Sequence, residues 1–399
     1  MDFMFGEKEE TLREEIREFA KKELPPGWLS FMLEEEDRDE DWAFALSMSR
    51  KLSEKGWLTM SWPKEYGGKG ASPWEQLVYC EEASYWGIPG TTMGIGGIDW
   101  VGPSLMLFGT EEQKKKYVPQ IASGEPDGVW CTAYSEPNAG CDFADIKTRA
   151  VRDGDDYIIN GHKIWTSAAH RARWCWLAVK TDPKAPKKHQ GISVFIVDMK
   201  SNGITVRPLE NYAGYHLFNE IFFDDVSVPA ANLVGKENNG WNQVMHALGF
   251  ERGSVGGRGY GYNRRILDEL IDYSKEKGIF IEPKIRHKLA DIAISLETQK
   301  ILVYETTWKV SKGIVPVYEP SRDKVFQDHI LEELATTGME ILGGYSQMDP
   351  IHQNSKWTKI NGHIEGIYWL FPGLLFAAGT DEVEMNIIGQ FGLDLPKSY

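Results

Sequence analysis

Cysteine is scarce in this 399-residue chain: Cys80, Cys131, Cys141 and Cys175 are its four, with no CxxC pair and none beside histidines at zinc-ligand spacing. Neither a disulfide framework nor a structural zinc site is expected, and reduced thiols in a cytoplasmic protein fit best. Long apolar runs are lacking as well. The richest stretch, Ile367 to Ala378, is about a dozen residues interrupted by Pro372, short of the ~20 that span a bilayer, so no membrane insertion is expected. The N-terminus, MDFMFGEKEETLREEIREF, is densely charged from Glu7 and has no apolar core of a secretory signal. Positive charge is outweighed, with 44 Lys plus Arg against 59 Asp plus Glu and a net charge of −15. This argues against the broad basic surface that nucleic acid or an anionic membrane would need, so an anionic ligand requires a local cationic patch.

What is present is a chain that can fold. It is 42% hydrophobic and 12% aromatic, and its length exceeds the roughly 250–300 residues at which single cores stop growing. From Glu7 to about Gly124, apolar residues recur at three- and four-residue spacings, as in TLREEIREFAKKEL and WAFALSMSRKLSEKGW, which predicts helices separated by turn clusters at WPKEYGGKGASP and WGIPG. After about Asp127 the period changes to two. GVWCTAYSE, DYIINGHKIWTSA, WCWLAVK, GISVFIVDM, ITVRPL and EIFFDDVSV read as short strands of a barrel or sandwich. From about Asn239 the helical period returns. The expected architecture is α+β and multidomain: an N-terminal all-α domain over 1–127, a middle β-barrel over 128–236 and a C-terminal α-helical bundle over 237–399.

Several kinds of chemistry are unsupported. The nine histidines show no HExxH or carboxylate partner at metal spacing, and no GxSxG elbow is present. Neither Gly94-Ile-Gly-Gly97 nor the glycines from Gly253 to Gly261 match GxGxxG, so both read as close packing or as backbone passing near a large planar ligand. The informative segments are Ala133-Tyr-Ser-Glu-Pro-Asn-Ala-Gly-Cys-Asp142 and Asn160-Gly-His-Lys-Ile-Trp-Thr-Ser167. The first is a strand running into a turn of small and hydroxyl residues. The second sets a tryptophan beside two hydroxyls on another strand. An aromatic face with short donors suits a flat conjugated ring.

With SWPKEYGGKG at 61–70, FGTEEQKKKYVPQIASGE at 108–125, FNEIFFDDVSVPAANLVG at 218–235, LGGY at 342–345 and AAGTDEVEMNIIGQFGLDLP at 377–396, these segments make the chain resemble the acyl-CoA dehydrogenases. The resemblance spans nearly the whole sequence. It implies an N-terminal helical domain, a middle β-barrel, a C-terminal four-helix bundle, FAD as cofactor and an acyl-CoA thioester as substrate. The implied reaction removes a proton from the α carbon and a hydride from the β carbon. By position, Tyr134 and Ser135 are expected along the flavin ring, Trp165 over one of its faces, Thr166 beside it, and Ser167 toward its N5 edge. Cys141 stands where a hydroxyl usually contacts coenzyme A, a contact a thiol makes more weakly.

Many members carry the catalytic Glu just before a C-terminal Gly-Thr, where this chain has Ala377-Ala378-Gly379-Thr380. Others place it on the first C-terminal helix, in a segment like Leu248-Gly-Phe-Glu-Arg252. The resemblance therefore implies Glu251 as base, with Arg252 beside it at the ligand. It implies Ala378 and Gly379 at the substrate, with the Ala378 N–H on the thioester oxygen, and Thr380 and Glu382 at the cofactor. The family's segments that reach a neighbouring subunit's FAD read here as Lys277-Gly-Ile-Phe280 and Glu340-Ile-Leu-Gly343-Gly344. Lysine gives up the guanidinium fork, and glutamate is expected to face the pyrophosphate unfavourably. Lys277, Phe280, Glu340 and Gly344 thus make a poor donor set and suggest a heterotetramer with a related subunit in place of a homotetramer.

An electron-transfer flavoprotein is the implied acceptor. A non-catalytic subunit and a flavin monooxygenase of the same fold are the alternatives. The alanines at 377 and 378 suit a bulky, branched or cyclic acyl chain.

Overall fold

The computed structural model describes residues 5–25, 28, 37–92, 96–348 and 355–397; the side chains of residues 248–255 and the backbone at Gly94 and Ile95 lie outside the described residues. Helices α1 (Glu7–Glu23), α2 (Asp39–Glu54), α3 (Pro73–Tyr85), α4 (Gly102–Phe108) and α5 (Glu111–Ala122) come first. Strands follow: β1 (Trp130–Ala133), β2 (Arg149–Asp153), β3 (Asp156–Ser167), β4 (Trp174–Lys180), β5 (Ile192–Asp198), β6 (Ile204–Leu209) and β7 (Phe218–Pro229). Then come α6 (Gly240–Glu276), α7 (Pro283–Ser311), α8 (Glu319–Leu342), α9 (His363–Leu374) and α10 (Asp381–Ile387). The order is the expected one, helical, then β, then helical. By packing the chain forms two compact units, Met1–Met32 with Ala71–Ile88 and Arg252–Tyr399, and Leu33–Gly70 with Pro89–Glu251.

In the first unit, α1 buries Leu12, Ile16, Phe19 and Ala20, a stripe at helical spacing, and carries acids in its first turn and lysines in its last, matching the helix dipole. α3 starts where the Ser72 hydroxyl accepts from the Glu75 N–H and the Glu75 carboxylate accepts from the Ser72 N–H. A Cβ at Gly261 of α6 would collide with the Glu81 carbonyl of α3, so that glycine lets the two helices approach closely.

Arg13 of α1 reaches across to α3, donating to Glu82 at 2.6 Å and Glu81 at 3.4 Å. Glu81 is only 4% exposed. Burial pushes its carboxyl up to about 7 against the pull of Arg13. Between its ordinary value and about 7, the folded chain holds a proton that the unfolded chain has released, so this group's contribution to stability falls as pH rises through that window. Glu81→Gln is expected to remove that slope, worth on the order of 2–3 kcal/mol, seen as a flatter melting temperature between about pH 5 and 7.5. An unchanged profile would refute a buried, protonating Glu81.

The second unit is built on one seven-stranded sheet in the order β1-β4-β2-β3-β7-β6, with β5 off this path and paired antiparallel to β4. β4 and β5 are buried on both faces and read as continuous apolar runs, whereas β3 and β7 alternate through much of their length. β6 is mostly exposed and carries Pro208, as an edge strand can. Cys131, Tyr157, Ile159, Leu177, Phe195 and Ile221 lie in the core beneath the sheet.

Candidate active site

Strand β3 slips register against β7 twice, between Ile159 and Gly161 and again between Lys163 and Thr166. The second slip sets Trp165 at φ +59°, a left-handed conformation that costs a non-glycine residue on the order of 1–2 kcal/mol. Its ring is 55% exposed and rests edge-on against Phe218 at 5.7 Å. Bulges and strained residues of this kind are over-represented beside ligand sites. Thr166 turns inward, buried, and its Oγ1 has no hydrogen-bond partner among the described residues. Among the same residues, no hydrogen bond is made by the Ser135 or Ser167 hydroxyl.

Behind the bulge lies a buried ion pair that sequence reasoning missed. Lys163, 0% exposed, donates to Glu136 Oε1 at 2.9 Å and to the Tyr134 carbonyl at 2.9 Å. Glu136 also accepts the backbone N–H groups of Lys147 at 2.6 Å and Thr148 at 2.8 Å. Burial alone would raise the Glu136 carboxyl, but Lys163 and these donors hold it below its ordinary value. Burial lowers Lys163 to about 8 against the same partner. The Ile164 N–H donates to the Ser135 carbonyl at 3.0 Å. Together these bonds fasten the Tyr134–Glu136 turn to the strand carrying Trp165. The Tyr134 ring is used in packing, stacked on Trp100 at 5.8 Å and edge-on to Phe143 at 5.7 Å.

Asn219, fully buried on β7, fixes the far side of the bulge. Its Nδ2 donates to the Thr166 carbonyl at 3.1 Å and to His170 Nδ1 at 3.2 Å, and its Oδ1 accepts from His216 Nε2 at 2.9 Å. Every polar position of the amide is then in use except one lone pair, with His170 presenting an unprotonated Nδ1.

In the other unit, Ala378 stands at φ +54° and Gly379 at φ +96° in the turn between α9 and α10. Ala378 is exposed. Thr380 caps α10, its Oγ1 accepting from the Val383 N–H at 3.3 Å, and Glu382 lies exposed on the first turn. Glu384, 2% exposed, is a further residue missed in the sequence: its carboxylate lies where a Cβ at Gly379 would sit, and the backbone there, at φ +96°, is one that side-chain-bearing residues rarely adopt.

Lys277, just past the end of α6, donates to Glu276 at 2.6 Å, and Phe280 is half-buried beneath Lys275. Glu340 is gripped by Lys284 and Lys288 of α7, which hold its carboxyl below the ordinary range. The expected unfavourable charge at Glu340 is therefore offset within the chain by two ammoniums. Gly344 is exposed after the end of α8. Cys141 is exposed and free. α6 runs through Glu251 and Arg252, whose side chains lie outside the described residues.

The outward tryptophan and the uncommitted hydroxyls of Ser135 and Ser167 fit a flavin: Trp165 would supply a ring face, and Ser135 and Ser167 short polar contacts at its edge, whereas the Thr166 side chain, expected at the cofactor, is buried on the inward side. Among the described residues, no group of His, Cys, Asp or Glu is placed to hold a metal ion, and no helix is long and apolar enough to cross a membrane.

Three family models match in chain order: the acyl-CoA dehydrogenase N-terminal domain over residues 6–125, the middle domain over 131–226 and the C-terminal domain over 238–393. The acyl-CoA dehydrogenase FadE26 of Mycobacterium tuberculosis is 36% identical over 359 residues, covering 87% of each chain. Two solved structures match over 100% of both chains: the Tcur3481-Tcur3483 steroid ACAD, with a TM-score of 0.91 and 32% identity, and the ChsE4-ChsE5 complex from Mycobacterium tuberculosis, with a TM-score of 0.87 and 33% identity. The chain belongs to the acyl-CoA dehydrogenase family. It is an oxidoreductase that dehydrogenates acyl-CoA thioesters, in a family that depends on FAD.

Proposed function

We propose that this chain oxidises a bulky, branched or cyclic acyl-CoA, with Glu251 as the base that takes the α proton. The observation that carries the assignment is the Ala377-Ala378-Gly379-Thr380 turn, which has no carboxylate before its Gly-Thr step. The acids after it are otherwise placed: Asp381 on Lys324, Glu384 buried against Gly379, and Glu382 on the exposed first turn of α10. Glu251 is the remaining family position for a base. When bound, FAD supplies the acceptor for the β hydride. Trp165 offers its ring to one flavin face, with Ser135 and Ser167 as polar contacts. The Ala378 N–H donates to the thioester oxygen as negative charge builds there, the moment at which a fixed donor contributes most.

The bulky substrate is supported by the small alanines in this turn and by likeness to a protein described as a steroid ACAD. A heterotetramer with a related subunit is supported by a lysine at 277 in place of a guanidinium, by a glutamate at 340 paired with Lys284 and Lys288, and by likeness to a ChsE4-ChsE5 complex. An electron-transfer flavoprotein is the proposed acceptor.

Anaerobic mixing of the FAD-loaded assembly with straight, branched and ring-bearing acyl-CoAs tests the substrate class. Ring-bearing thioesters are expected to bleach the flavin at least about tenfold faster than straight ones of equal carbon number. A preference for straight chains would overturn the substrate assignment. A stable, FAD-saturated and active homotetramer, obtained by expressing this chain alone, would overturn the heteromer.

A further inference from the structure

The turn that carries Ala378 is closed on itself and on one half-buried ammonium. The Asp381 N–H donates to the Leu375 carbonyl at 3.1 Å, drawing the two ends of the segment together. Lys324 of α8 donates to Asp381 Oδ1 at 2.8 Å, reaches the Leu375 carbonyl at 3.5 Å, and lies 2.8 Å from Asp328 Oδ2 one helical turn further along. The Lys324 side chain is 11% exposed and those of Asp328 and Asp381 are 6% and 9%, so water does little to weaken the contacts. Two consecutive left-handed residues, one of them not a glycine, are the kind of backbone that relaxes unless its ends are held.

We propose that Lys324 is a positioning residue, which keeps the Ala378 N–H aimed at the thioester oxygen by pinning the Leu375–Asp381 turn to α8. This deepens the reading of Ala378 given above and rests on it. The ammonium works through Asp381 and the Leu375 carbonyl, not by touching substrate. An N–H aimed at a developing oxyanion contributes more in the transition state than in the ground state, so its displacement falls on kcat and leaves KM nearly unchanged.

The test uses the assembled, FAD-loaded enzyme with Lys324→Met, which keeps the chain length and removes the charge, and with Lys324→Arg, which restores it. The probe is acetoacetyl-CoA, whose α proton is acidic enough for its enolate to form at the site and give a long-wavelength absorbance band against the flavin. K324M is expected to lower kcat about 10- to 100-fold with KM within about threefold, to keep full FAD content and to weaken the enolate band, while K324R recovers most of both. If K324M does not assemble, Asp381→Asn, which removes the charge that Lys324 grips, carries the same expectation. A wild-type band retained at full strength in K324M, or in D381N in its place, overturns this proposal alone. A wild-type enzyme that gives no band overturns the Ala378 reading, and this proposal with it.

Discussion

Lys163→Met is expected to destabilise the sheet unit by about 3–5 kcal/mol in urea unfolding, the cost of leaving one member of a buried ion pair behind. Glu136 would keep the backbone N–H groups of Lys147 and Thr148 but lose the Lys163 ammonium, and the Tyr134 carbonyl would lose the Lys163 donor. Changing both partners should cost less than the sum of the single changes, because Glu136→Gln with Lys163→Met leaves no uncompensated charge. The pH dependence should also change sign. In the wild type, Glu136 is held below its ordinary value, so its contribution is present at neutral pH and is lost as pH falls through the carboxylate range. Without Lys163, burial dominates, the folded carboxyl rises, and acidification toward it becomes stabilising. A K163M protein as stable as wild type, with an unchanged acid limb, would show that the pair does not fasten the Trp165 strand.

Glu251→Gln is expected to cut turnover by about 10²- to 10⁴-fold, the range a positioned general base supplies. Glutamine keeps the size and shape of the side chain but replaces one accepting oxygen with a donating NH2 and cannot take up the proton, so FAD content should not change. Trp165, Ser135 and Ser167, the proposed flavin contacts, are untouched by the substitution. A variant that loses FAD together with activity would point to a structural role for Glu251 instead.

The order of elements was legible in the sequence because periodicity reports which face is buried. The runs WCWLAVK and GISVFIVDM became β4 and β5, and the two-residue alternation of DYIINGHKIWTSA became β3. β2 was not legible: of Arg149–Asp153 only Ala150 is buried, so there is no apolar alternation to read. Trp165 was legible from its motif, but its left-handed backbone was not, since nothing local distinguishes it from a regular strand residue. Lys163, Asn219 and Lys324 escaped notice for one reason. A charged or polar residue in a strand or on a helix normally faces water, and these three are instead engaged by partners distant in sequence, Glu136, Thr166 and Asp381. The pairing of Glu340 was not legible for the same reason, because Lys284 and Lys288 lie on a different helix.

The base assignment is tested most directly by α-proton exchange. The FAD-loaded assembly is incubated in D₂O with a 3-thia analogue of the ring-bearing acyl-CoA that bleaches fastest, which can lose its α proton but cannot be oxidised. Wild type is expected to place deuterium at the α carbon, and Glu251→Gln with undiminished FAD to do so only at the background rate. Exchange by E251Q at the wild-type rate would contradict Glu251 as the base.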